Sequence, residues 1–274
     1  MTAPRLFCIP ATAARVVAVI RRGPSEWCHV GRWNIADWTY EAGAWFRGRL
    51  FPQKCDLSPD GRWLAYSAHK PTARWAAGTI YEAISRLPWL HALAAWEAGT
   101  TYTRGIRFDD DAGTSDLGPP DSGDAAPCLR CYGLRVNRAA QFAVERRKGW
   151  FETGDTPARD ADDVWDERRT VRMSKTQPGG SAVLEVEGSY AAFRDDPERR
   201  DPPCYSILHG DDITVLEHAQ WADWSAAGTL LLATKRGGLE AYDWRDGRMR
   251  RIFEHDLSGL APDPREPPAW AYEW

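Results

Sequence analysis

Residues 55–68 read Cys-Asp-Leu-Ser-Pro-Asp-Gly-Arg-Trp-Leu-Ala-Tyr-Ser-Ala, and this run constrains the fold more than any other. Ser58-Pro59-Asp60-Gly61 is turn chemistry. Pro59 presets the second turn position, Ser58 and Asp60 bond local backbone, and Gly61 accepts positive φ. After it the side chains alternate, with Trp63, Ala65 and Ser67 on one face and Leu64, Tyr66 and Ala68 on the other. A period of two with aromatic content predicts a strand. The pattern returns at 222–234, where Asp223, Ser225 and Gly228 fall at the offsets of Asp56, Ser58 and Gly61. Strands over 238–244 and 249–255, joined by a turn at Arg245-Asp246-Gly247, complete a four-strand meander there.

A meander of this size, opened by a Ser-Pro-Asp-Gly turn, resembles the blades of the WD-repeat and TolB-type β-propeller families. The resemblance is carried by 53–68 and 220–256 and identifies no single protein. It implies an all-β fold, a single β-propeller domain over 1–274 with five four-stranded blades. It also implies a scaffold-like, monomeric, protein-binding role. The fifteen Trp residues then read mainly as core between blades.

Strands at 5–9, 15–22 and 27–34 read as the last three strands of a blade that lacks its first. The C-terminal Trp270-Ala271-Tyr272-Glu273-Trp274 is similar to Trp221-Ala222-Asp223-Trp224. It is therefore expected to be the missing strand, closing the ring at the N-terminal blade and removing sheet edges. Residues 35–51 read as an aromatic connection. A second blade is expected over 53–97, its last strand at 89–97. A third runs from 101 to about 167, interrupted by a mobile acidic loop at 109–127, with strands at 129–136 and 141–147. A fourth covers 170–218 and a fifth 220–256.

Net charge is −4 and pI about 5.9, so no global basic field invites nucleic acid. Arg supplies 30 of the 35 basic residues. No apolar run is long enough for a membrane span, and 16–20 is too short for a signal-peptide core, so a cytoplasmic chain is expected. Cys128 and Cys131 lack the companion ligands of a zinc site, and no metal or cofactor is expected.

Function is sought on loops. Five long connections, 35–52, 69–78, 153–168, 191–203 and 257–268, sort to one face of the expected propeller. They offer Trp38, Trp45 and Trp75 as stacking anchors. Lys54, Arg104 and Arg172 are expected near the channel mouth on that face, where a ring of cations would favour an acidic segment. The candidate binding residues are thus Trp38, Trp45, Lys54, Trp75, Arg104 and Arg172, with no catalytic residue. Nucleophile, phosphate-loop and zinc-protease motifs are absent. The expected function is a non-catalytic propeller binding a protein partner. Two other classes stay open: a carbohydrate or small anionic ligand binder, and a glycoside hydrolase using funnel carboxylates such as Asp37, Glu41, Asp166 and Glu266.

Overall fold

A computed structural model describes residues 3–23, 26–71, 78–100, 103, 105–109, 135–138, 142–153, 170–193, 202–245 and 247–274. The described residues are all-β apart from one short helix, α1 (Ala143–Arg147), and 3-10 turns. The chain divides into two compact units, one of residues 1–144 with 260–274 and one of residues 145–259.

The first unit opens with a complete four-stranded antiparallel meander: β1 (Arg5–Pro10), β2 (Val16–Arg22), β3 (Trp27–Asn34) and β4 (Thr39–Arg47). The strand expected to be missing is therefore present as β4, inside the stretch read as a connection. Asn34 and Asp37 build the turn that starts it, accepting the backbone N–H groups of Ala36 and Thr39 at 3.1 Å each.

The next sheet holds β5 (Arg49–Leu50), β6 (Asp56–Leu57), β7 (Trp63–His69), β8 (Ile80–Arg86) and β9 (Ala94–Glu97). β5 and β6 share one edge of β7, so they act as one strand broken by a 3-10 turn at Pro52–Lys54. Of the strand expected over 89–97, only β9 forms. β7 is apolar on both faces because it is buried on both. One face packs Leu64 and Tyr66 against Ile20, Val30 and Phe46 of the first sheet. The other packs Trp63 and Ala65 against Ile106 and Phe108. Those belong to β10 (Ile106–Asp109), paired with β11 (Arg135–Arg138) in a two-stranded sheet. The third expected blade is represented among the described residues by this pair alone. Residues 143–147 are α1 rather than strand, and the loop 109–127 lies almost wholly outside the described residues.

The second unit contains β12 (Phe151–Glu152), β13 (Thr170–Thr176), β14 (Val183–Ser189), β15 (Cys204–His209) and β16 (Asp212–Val215) in one meander. β17 (Ala219–Trp224), β18 (Leu230–Thr234), β19 (Gly238–Arg245) and β20 (Arg248–Asp256) form the other. These match the expected fourth and fifth blades closely.

The described residues thus form four propeller-type blades, not five. Nor does the C-terminal segment close a ring as a strand. Ala269–Tyr272 is a 3-10 turn, and Trp274 packs on the core around Trp63. Four prolines between 262 and 268 remove backbone donors just before it. Arg86 supplies the docking point. Its Nη1 donates to the Trp270 carbonyl at 2.9 Å, and its guanidinium lies 5.3 Å from the Trp63 ring and 5.2 Å from the Trp270 ring. His91 and Tyr272 add a ring contact at 4.2 Å.

Candidate functional site

Of the residues singled out from sequence, Trp38, Trp45 and Lys54 lie in the first unit and Arg172 in the second. Trp75 and Arg104 lie outside the described residues. Trp38 and Trp45 sit seven residues apart near opposite ends of β4, roughly 20 Å along an extended strand. Trp38 occupies the β3–β4 turn at φ 61, unusual for a bulky residue, with its ring 6.3 Å from Trp33.

Trp45 is half-buried and held from one side. Register places Arg21, His29 and Trp45 side by side on β2, β3 and β4. The Trp45 ring is 4.7 Å from His29 and 5.9 Å from the Arg21 guanidinium. Gly31 leaves room for the Tyr40 ring to lie across β3, where any Cβ would collide with it. Burial pushes the His29 imidazole down to about 4, opposed by a contact to the Ala44 backbone and reinforced by Arg21. The ring is therefore neutral at physiological pH.

Lys54 ends the 3-10 turn with its ammonium 4.8 Å from the Phe51 ring, which also carries the Arg49 guanidinium at 4.9 Å. Arg172 lies on β13, paired to Glu187 and lying 3.8 Å from Glu185. Its charge is offset where it stands.

A concentration of cations that sequence reasoning passed over lies on β19 and β20, in the second unit. Arg245 stands opposite Arg248 and Asp243 opposite Arg250. Cross-strand partners share a face, as do residues two apart on a strand, so these four side chains form one cluster. Asp243 accepts from Arg245 at 3.1 Å and from Arg250 at 3.3 Å, while Arg248 makes no ion pair among the described residues. Arg245 and Arg250 are 80% and 77% exposed, so among the described residues the face sets three guanidinium groups against the Asp243 carboxylate in water. Below them on the same face, Phe253 and His255 stack at 6.3 Å.

On the opposite face, Arg251 stands with two carboxylates, Glu240 and Glu254. Arg251 reaches Glu254 at 3.0 Å and Glu240 at 3.6 Å. Tyr242 donates to Glu240 at 2.7 Å, and burial with that carboxylate pushes the phenol up to about 12. The signal for the basic face was present in the sequence as Arg245, Arg248 and Arg250. What concealed it was the hairpin register, which decides that they stand together.

Among the described residues no group of three or more His, Cys, Asp or Glu is arranged to hold a metal ion. No helix there is long and apolar enough to cross a membrane.

No family model matches the chain, and no curated protein matches it. Among solved structures, the crystal structure of an uncharacterized protein, lmo1340 from Listeria monocytogenes EGD-e, matches 93% of this chain at 9% identity, with a TM-score of 0.27. The match takes in 66% of that protein, a little under two thirds of its length. At that TM-score the likeness supports no functional argument.

Proposed function

We propose that this chain is a non-catalytic binding protein built from WD-repeat or TolB-type blades, and that it holds an acidic segment of a protein partner. The observation that carries this reading is the exposed cluster of Arg245, Arg248 and Arg250 around Asp243. A guanidinium presents a planar fork that matches a carboxylate, and Asp243 occupies only part of that capacity. Lys54 and Arg172 contribute less to the reading, since one rests on an aromatic ring and the other is paired. Trp45, in the first unit, is a separate candidate contact, an apolar anchor whose orientation is set before binding.

The test begins with a partner captured on the full chain and then titrated at low and high salt. Affinity is expected to fall as salt rises, and R248E/R250E to weaken it by about tenfold or more with an unchanged melting temperature. Trp45→Ala is expected to weaken it equally at both salt concentrations. Full-strength binding by the charge-reversed protein would move the site elsewhere.

A further inference from the structure

We infer that the acidic segment binds as an added β-strand along the outer edge of β20. This rests on the proposal that the arginine face recognises acidic chains, and it adds the geometry of recognition. β20 is the last strand of its sheet, and its outer edge pairs with no other strand among the described residues. Among the described residues no loop backbone bonds to its first half, residues 248–252, either. An edge left open over 248–252 presents a row of N–H and C=O groups that an extended chain can pair.

The side chains specify what kind of chain. Residues 248 and 250 share a face, so a paired strand brings every second residue beside a guanidinium. Met249 points to the opposite face, where Arg251 is already engaged by Glu240 and Glu254. The fitting ligand alternates acidic and apolar residues. Ile252 bulges out of register between Arg251 and Phe253, so regular pairing is expected over 248–251 and interrupted beyond it.

Edge charges also discourage unwanted pairing, which is the other reason for arginine to stand here. The distribution favours recognition. β16, the edge strand of the neighbouring sheet of this unit, carries no arginine and exposes Ile213 and Val215. At the edge of the first unit, Arg47 of β4 is matched by Glu26 at 2.7 Å. The first half of β20 instead sets Arg248 and Arg250 on one face, which serves a ligand of opposite sign.

The probe is a labelled peptide of alternating Glu and Val, titrated by fluorescence anisotropy into the full chain at low salt. Two further peptides carry N-methyl groups, one on every Glu and the other on every Val. In a strand, alternate residues direct their N–H groups to opposite sides, so strand addition lets one of these bind and excludes the other. The expected result is binding by the parent peptide, a loss of about tenfold or more in one methylated peptide only, and a similar loss with R248E/R250E. If both methylated peptides bind like the parent while R248E/R250E does not bind, the charge reading stands and strand addition is overturned. If the parent peptide does not bind, or binds the charge-reversed protein equally well, both fall. Tighter binding of a single-stranded oligonucleotide of equal charge would also overturn the assignment to an acidic peptide.

Discussion

Gly61 and Gly228 hold φ values of 72° and 76°, and each turn is closed by a backbone bond of 2.9 Å to the serine three residues before it. Their surroundings also correspond. A Cβ on Gly61 would stand 2.8 Å from Val16 of the preceding sheet, and one on Gly228 would stand 2.6 Å from the Pro178 carbonyl of its preceding sheet. Gly61→Val and Gly228→Val should therefore each destabilise by roughly 1–3 kcal/mol in urea unfolding. A Val variant as stable as the parent would show that the turn does not need a glycine. His29 makes a different prediction. Its folded value of about 4 lies below the ordinary 6.5, so below that the unfolded chain takes up a proton that the folded chain does not. Its contribution is intact above about pH 6.5, is lost as pH falls towards 4 and is level below that. The full loss is on the order of 3 kcal/mol. His29→Phe should flatten this part of the stability-against-pH curve, and an unchanged slope would refute the assignment.

At the scale of elements, the repeated stretch is less regular than its sequence. Leu57 pairs with Leu64, but Trp224 at the aligned position pairs with Leu230 rather than Leu231. One extra residue enters the first turn because Asp60 also accepts the Arg62 N–H at 3.1 Å. A one-residue shift turns a strand over. Asp56 accordingly accepts the Phe108 N–H of the following sheet at 2.9 Å, whereas Asp223 binds Lys175 of the preceding sheet at 2.6 Å. The C-terminal turn is the other element whose role depends on its neighbours. Deleting 268–274 should cost about 2–4 kcal/mol, because Trp63 loses its cover and Arg86 loses a ring and a carbonyl. Arg86→Ala in the full chain should reproduce part of that loss. A deletion that leaves the melting temperature unchanged would mean that this docking contributes nothing.

At the scale of the molecule, the first unit is discontinuous and the second is one unbroken stretch. Residues 145–259 expressed alone should therefore give a cooperative thermal transition with β-type circular dichroism. Residues 1–144 alone should melt at lower temperature than they do within the full chain, because the segment that returns to Trp63 and Arg86 is missing. A non-cooperative melt of the 145–259 piece would show that its two sheets need the rest of the chain.

The order of residues was enough to show the local chemistry. Turn residues and period-two patterns act over a few positions, so the repeated glycine turn, the buried Trp63 and the eight main strands of the second unit were legible in order. β4 was not, because Gly43 breaks its alternation and its signal lies in the small polar turn of Asn34 and Asp37. Tertiary structure decided what depends on partners distant in sequence. The likeness of 270–274 to 221–224 suggested a strand, but a strand needs an edge to pair with, and Arg86 with Trp63 offers a side-chain clamp instead. Whether three arginines form a face likewise depends on hairpin register, which sets Arg245 opposite Arg248 and leaves Asp243 to serve two guanidinium groups.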